Sequence, residues 1–294
     1  MHKYMRAVGF AGLSDRKSQQ KLITDVIINP TNRRYTSYGQ DEFLAEFDKD
    51  FAPGIGVGVC GIFDSEENFS YDYYYPYLTG TQISSLEDIT VERYAEKEAY
   101  AGICDDYKIG VSLIFYLQNM VPYVKVLSSG QLPLVGTSLS LSGLSIQGSI
   151  LLPIAKNERD IRKIRRASTE RLQLLNKAKD GDEEAIDTIT MEDMDRYAVL
   201  KDRIRETDVF SLVDTYFMPY GVESDQYSIL GEILECNRVE NSLTGEHVWK
   251  FVLQVNDMNM DVCINEADLV GEPAEGRRFK GNIWLQGMVI HPEL

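Results

Sequence analysis

The sequence predicts an α+β fold: a mainly antiparallel β N-terminal domain with one or two helices, a central helical hairpin, and a C-terminal small β barrel, OB-like or SH3-like. Three observations predict it. Apolar residues alternate with period two in several early segments, charged blocks with helical spacing follow, and alternating segments separated by turns then return. The predicted domains are residues 1–155, 156–206 and 207–294.

The N-terminal domain is expected to begin with a strand at about residues 4–10 and a helix at about residues 15–28. Ser14 has the side chain of an N-cap, and apolar residues recur at helical spacing from Leu22 to Ile27. Residues 55–63 and 69–77 alternate on either side of a polar turn, which is typical of a β-hairpin. Its tyrosines are expected to share one face, and they include Tyr71, Tyr73 and Tyr75.

Two further features concern the centre of the chain. Residues 139–152 also alternate, with a frame shift at Ser142 and Gly143 that indicates either a tight turn or a β-bulge. Residues 156–179 then carry nine basic and three acidic residues, and residues 180–195 carry eight acidic residues and no basic ones. Two helices of complementary charge account for these blocks, and an anion or nucleic-acid contact is the alternative.

The C-terminal domain reads as strands joined by short turns. Alternation recurs at residues 229–239, 249–255, 258–264 and 279–287, and the order resembles a small barrel. Such a topology alone carries no function.

Two short motifs are rejected as ligand sites. Residues 56–61 fit G-x-G-x-x-G, but they lie within an alternating segment and no helix follows to receive a pyrophosphate. Asp257, Asn259 and Asp261 are spaced as in a calcium loop, but Val262 occupies the position that requires glycine. We therefore expect no cofactor.

Cysteine and histidine usage predicts neither disulfides nor a metal site. The four cysteines are far apart, and the three histidines are scattered. No apolar segment approaches the roughly 20 residues of a membrane-spanning helix, and no signal peptide is evident. We expect a cytoplasmic protein.

The net charge of −16 makes general nucleic-acid binding improbable. Residues 207–294 contain fifteen acidic and five basic residues, a net charge of −10, so single-stranded nucleic-acid binding by the barrel is also disfavoured.

The last strand supplies the main candidate site. One face is small or apolar and is expected to line the barrel. The other places an aromatic ring among hydrogen-bonding groups, as recognition surfaces do: Trp284 with Lys280, Asn282 and Gln286, next to Arg277 and Arg278. The alternative is that Trp284 packs inside the protein. If the ring is exposed, replacing Trp284 and Lys280 with alanine should abolish partner binding and leave stability nearly intact.

The opening segment MHKYMRAVGF, the overall length and the closing segment GEP…GRRFKGNIWLQG resemble a domain-of-unknown-function family from anaerobic Gram-positive bacteria. The resemblance covers nearly the whole chain. It implies a cytoplasmic bacterial protein and carries no activity or catalytic residue.

Three function hypotheses follow. The first is a non-enzymatic binding or regulatory protein with a protein partner, which binds through the Trp284 face or the tyrosine hairpin. The second is a hydrolase or transferase that uses carboxylates and tyrosines in an interdomain cleft, with Asp105 or Asp106 as candidates. The third is single-stranded nucleic-acid binding through the barrel. The oligomeric state stays open.

Overall fold

The computed structural model describes residues 2–13, 15–39, 41–94, 99–106, 109, 111–128, 130, 136–153 and 213–291, together with residues 174, 177, 182, 184, 187, 188 and 191. Met1–Leu152 and Thr215–Leu294 form one compact unit, and Pro153–Asp214 forms a second. The second unit, and with it the helical hairpin predicted for residues 156–206, lies almost wholly outside the described residues. All the described strands belong to the first unit.

The first sheet is an antiparallel meander of four strands. They are β1 (Asn32–Tyr38), β2 (Glu42–Ala52), β3 (Ile55–Phe63) and β4 (Phe69–Leu78). The β3–β4 turn is held by Asp64, whose side chain accepts from the backbone N–H groups of Glu66 and Asn68 at 2.9 and 2.8 Å. Helix α1 (Arg16–Ile28) packs on β2 and β3 through its apolar face, and its N-cap is Asp15.

The prediction of a strand at residues 4–10 is wrong. Lys3–Val8 forms a 3-10 helix that ends at Gly9, where φ is 87°. Side chains from a turn distant in sequence stabilise this conformation: Asn241 Nδ2 donates to the Val8 carbonyl at 2.9 Å, and Thr244 donates to the Gly9 carbonyl at 2.6 Å. Tertiary hydrogen bonds therefore override the local alternation, and the short helix packs against the second sheet.

The second sheet contains ten strands, five of which close a barrel. The barrel strands are β8 (Ser138–Leu151), β10 (Gln226–Glu240), β11 (His247–Val255), β12 (Met258–Asn265) and β14 (Arg278–Ile290). Closure arises because β8 pairs with β12 in parallel along one edge and with β14 antiparallel along the other. The remaining strands are β5 (Ile89–Arg93), β6 (Tyr100–Asp106), β7 (Val111–Leu117), β9 (Tyr216–Pro219) and β13 (Leu269–Val270).

The predicted α+β class with a central helical hairpin is wrong, although a β-barrel is present. The described residues of the first unit are mainly β-strand and contain no helical hairpin, and their helices are the short α1 and α2 (Met120–Ser128) besides two 3-10 turns. The C-terminal strands also do not close a barrel by themselves, because β8 comes from the first half of the chain. Alternation shows that a strand exists but not which strand it pairs with.

The two sheets meet near Gln286 of β14, which pairs in parallel with Tyr116 of β7 within the second sheet. Gln286 is buried at this junction and connects them. Its Nε2 donates to the Pro76 carbonyl of β4 at 2.8 Å, and its Oε1 accepts from Gln118 Nε2 at 2.7 Å. Strands β4, β7 and β14 therefore come together, and so do the aromatic side chains that they carry.

Among the described residues, none of the helices has the length and apolar character that crossing a membrane requires.

Candidate ligand pocket and carboxylate cluster

Glycines in β3 allow tyrosines of β4 to lie flat across that strand. Gly56 pairs with Tyr77 and Gly58 with Tyr75. A Cβ atom on Gly58 would lie 2.6 Å from ring atoms of Tyr75, and one on Gly56 would clash with the Tyr77 hydroxyl. Only glycine accommodates rings this close, so the G-x-G-x-x-G spacing of this strand serves side-chain packing.

The tyrosine hydroxyls reach across β3 to carboxylates on β2. Tyr75 donates to Glu46 Oε1 and Tyr77 donates to Asp50 Oδ1, both at 2.6 Å. From β1, Arg34 Nη1 donates to Asp48 and, at 3.2 Å, to Glu46 Oε2. These residues, Arg34, Glu46, Asp48, Asp50, Tyr75 and Tyr77, form what we call the carboxylate cluster.

Burial changes the acidity of the cluster. Burial, and next the nearby Asp48 charge, raise the pKa of Glu46 to about 8. Burial also raises the pKa of Asp48 to about 6, against the attraction of Arg34. Asp48 lines a small cavity of about 100 Å³, and its Oδ1 is buried with no hydrogen-bond partner in the described structure. Both carboxyl groups therefore hold their protons more strongly than exposed carboxyl groups do.

A larger pocket, of about 900 Å³, lies beside the junction of the sheets and is named here the Trp284 pocket. Aromatic rings from five segments line it: Tyr4, Tyr73, Tyr74, Tyr94, Tyr116 and Trp284. The rings hold each other in place, because the Trp284 ring lies 5.5 Å from that of Tyr4 and 5.2 Å from that of Tyr116. Tyr75 joins the pocket to the carboxylate cluster, since its ring lies 4.8 Å from Tyr116.

Three charged side chains among the described residues line the Trp284 pocket: Lys3, Glu223 and Asp225. Asp225 Oδ2 accepts a hydrogen bond of 2.7 Å from Trp284 Nε1. Burial raises the pKa of Asp225, and this hydrogen bond opposes the rise. Burial together with the charges of Asp225 and Glu223 also raises the pKa of Tyr94 to about 12. The wall is thus apolar with a negative potential.

The predicted site residues divide into two groups. The structure brings Trp284, Tyr73 and Tyr75 together in one pocket. Trp284 is only 5% exposed, so the ring packs inside the protein, which was the alternative to an exposed recognition surface. Gln286, predicted beside it on a surface, is fully buried between the sheets.

The other predicted residues lie elsewhere. Lys280 and Asn282 line a separate cavity of about 390 Å³. Arg277 Nη1 donates to the Glu272 carbonyl, Arg278 Nε donates to the Leu152 carbonyl at 3.1 Å, and Tyr71 is exposed. The acids proposed for catalysis do not line the Trp284 pocket: Asp106 accepts from Ser85, and Asp105 accepts from Ser112.

Sequence reasoning missed the pocket residues that come from separate segments, His2, Tyr4, Tyr116, Glu223 and Asp225, and it missed Arg34, Glu46 and Asp48. No local signal marks the first group.

Among the described residues, no three His, Cys, Asp or Glu side chains are grouped in a way that could hold a metal ion.

The comparison with family models matches residues 5–287 to "Domain of unknown function, E. rectale Gene description (DUF3881)". The chain belongs to the DUF3881 family. The predicted resemblance to a family of unknown function from anaerobic Gram-positive bacteria is thereby confirmed. Comparisons of this DUF3881 chain with curated proteins and with solved structures found no match.

Proposed function

We propose that this protein is a non-enzymatic binding protein that encloses a small organic molecule in the Trp284 pocket. The observation that supports the proposal is the pocket itself. Its volume of about 900 Å³ falls within the range of small-molecule sites, about 300–1,000 Å³, and such sites combine an apolar, aromatic wall with a few polar groups.

The pocket is also preorganised. Trp284 is held by ring contacts with Tyr4 and Tyr116 and by its hydrogen bond to Asp225. Tyr116 in turn donates from its hydroxyl to the Tyr73 hydroxyl at 3.4 Å. Side chains already fixed in place lose little entropy when a ligand binds, which favours affinity.

The test uses tryptophan fluorescence. The chain has two tryptophans, so Trp249→Phe leaves Trp284 as the reporter. We expect some members of a panel of small aromatic and aliphatic compounds to change its emission saturably and to raise the melting temperature as their concentration increases.

A blocking variant tests the location. Val222 lines the pocket and is fully exposed, so Val222→Tyr should fill the space without disturbing the core. Val270→Tyr, at an exposed valine outside the pocket lining, is the matched control. Absence of any saturable response, or equal binding by both variants, would refute the proposal.

A second candidate is the hydrolase or transferase, with its acids placed at Glu46 and Asp48. The observation that favours it is that Glu46 and Asp48 share Arg34, with Asp48 lining a cavity, while burial raises the pKa of both, as a general acid and base would require. Turnover of a panel of nitrophenyl esters, phosphoesters and glycosides should then be lost in Glu46→Gln and Asp48→Asn and kept in Asp105→Asn. Turnover unaffected by the first two variants would remove this candidate.

We also propose a cytoplasmic location. All four cysteines are free thiols, which supports a reducing compartment. Fractionation of the native host with an antibody would test the location.

A further inference from the structure

The charges around the Trp284 pocket do not balance among its described lining residues. Two carboxylates, Glu223 and Asp225, face one ammonium, that of Lys3. Lys3 Nζ lies 3.4 Å from Glu223 Oε2, so its charge is matched by Glu223. Asp225 instead accepts a hydrogen bond from a neutral group, the indole N–H of Trp284. Lys3 also attracts Asp225, but one ammonium faces two carboxylates, so the described wall keeps a net negative charge that a cationic ligand would balance.

The pocket already holds one ammonium group against an aromatic ring. Lys3 Nζ lies 5.1 Å from the centroid of the Tyr4 ring, within the range of a cation–π contact, while it also approaches the Glu223 carboxylate. The wall therefore shows in its own side chains the combination that recognises an organic cation: a ring face and a carboxylate together.

Further ring surface remains for a ligand. Trp284 and Tyr4 are almost fully buried, but Tyr73, Tyr74 and Tyr94 are half-buried and line the same space. Tyrosine faces attract a cation through the negative electrostatic potential of the ring, and they need no hydrogen bond from it. A cation whose nitrogen carries alkyl groups suits such a wall, because it brings charge without N–H donors that require acceptors.

We propose that the ligand of the Trp284 pocket is an organic monocation with an alkylated ammonium head group. This inference rests on the binding function proposed above. The head group lies against the tyrosine faces near Asp225, and the rest of the molecule fills the apolar space. An anionic ligand is disfavoured because Glu223 and Asp225 repel it, and a neutral ligand leaves the Asp225 charge uncompensated.

The test compares two probes of the same shape. Choline carries a trimethylammonium group, and 3,3-dimethylbutan-1-ol replaces its nitrogen with carbon, so the pair differs in charge alone. Titration of Trp249→Phe, followed by Trp284 fluorescence and confirmed by calorimetry, should show choline binding at least about tenfold more tightly, which corresponds to about 1.4 kcal/mol.

Two charge variants locate the preference. Asp225→Asn keeps an oxygen that accepts from Trp284 Nε1 but removes the charge, so the tenfold preference should fall to about twofold or less. Glu235→Gln removes one charge from an exposed position on β10, nine residues beyond the Gln226 that pairs with Trp284, and it should keep the preference. If Asp225→Asn unfolds the protein, Glu223→Gln tests the same net charge, because it leaves Asp225 opposite Lys3 and should likewise reduce the preference to about twofold or less.

The outcomes separate this inference from the proposed function. Equal binding of the two probes, or a preference that survives in Asp225→Asn, overturns the cation assignment. If neutral compounds bind and Val222→Tyr blocks them, while choline shows no preference, the binding function stands and the cation assignment falls. If no compound from the panel or the probe pair binds, both fall.

Discussion

Replacing Gly58 with alanine should destabilise the protein, although the general rule for strands predicts the opposite. Glycine within a strand is less favourable than alanine by about 0.5–1 kcal/mol, because the unfolded chain is more flexible. At Gly58, however, the new methyl group would lie 2.6 Å from ring atoms of Tyr75 and 2.9 Å from its hydroxyl. The ring must move.

The cost follows from what holds that ring. The Tyr116 ring lies 4.8 Å from the Tyr75 ring, and the Tyr75 hydroxyl donates to the buried Glu46 at 2.6 Å. Overpacking costs about 1–3 kcal/mol, and loss of a hydrogen bond to a buried acceptor costs about 1–3 kcal/mol. After the gain from alanine is subtracted, Gly58→Ala should lower the free energy of unfolding by about 1–5 kcal/mol.

Urea denaturation followed by fluorescence and circular dichroism measures this change. Gly12→Ala is the control, because a methyl group there meets Glu246 Oε1 at an ordinary 3.6 Å. Its effect should stay within about 0.5 kcal/mol.

A double variant decides the mechanism. When Tyr75→Ala removes the ring, the clash is gone, so adding Gly58→Ala should be neutral or slightly stabilising, with a coupling energy of at least about 1 kcal/mol. A Gly58→Ala protein as stable as the wild type, or strictly additive effects in the double variant, would refute the reasoning.

Other predictions follow from the same contacts. Folding raises the pKa of Glu46 to about 8, so the folded state holds this proton more tightly than the unfolded state does. The protein should therefore lose stability as pH rises from about 4.5 towards 8. Glu46→Gln should reduce that loss in urea titrations at several pH values, and identical pH slopes in the variant and the wild type would contradict it. Arg34→Met leaves the buried Asp48 carboxylate without its cation; because the Arg34 side chain is 35% exposed, the cost should be about 1–3 kcal/mol, measured the same way. Trp284→Ala should cost about 3–5 kcal/mol in thermal or urea unfolding, because the ring is buried; a loss below about 1 kcal/mol would place it at the surface. Gln286→Leu deprives the Pro76 carbonyl of a donor and should cost about 1–3 kcal/mol, and no change in the urea midpoint would contradict the role of that contact.

Local patterns in the sequence predicted local structure well. The hairpin of β3 and β4 is observed because alternation and a polar turn are properties of consecutive residues. Helix α1 and the meander of β10, β11 and β12 follow for the same reason. These elements depend little on the rest of the chain.

Strand β8 shows where this reasoning stops. Residues 139–145 are all buried, so the frame shift at Ser142 and Gly143 reflects a strand covered on both faces rather than a turn. Leu144 pairs with Cys263 on one side and with Trp284 on the other, and both partners lie more than 100 residues away. Such pairings cannot be read from alternation in a single strand.

The carboxylate cluster did leave a signal. Acids alternate from residue 46 to residue 50 of β2, glycines recur in β3, and tyrosines recur in β4, so a meander of these segments aligns the three patterns. Considering each segment alone identified the tyrosine face and the glycine motif, but not that the glycines of β3 let the tyrosines of β4 reach the carboxylates of β2. By contrast, Asp225 and His2 reach the pocket only through tertiary structure.

The closure of the barrel by β8 also has a consequence for protein synthesis. Residues 138–151 leave the ribosome well before either strand that will flank them, since β14 ends at Ile290. At typical elongation rates this interval lasts on the order of 7–30 s, during which at least one edge of a strand that is buried in the native state lacks its partner. Chains interrupted before β14 would expose that strand permanently. Soluble yield in the host should therefore depend on chaperone supply and on uninterrupted translation of the second half of the message.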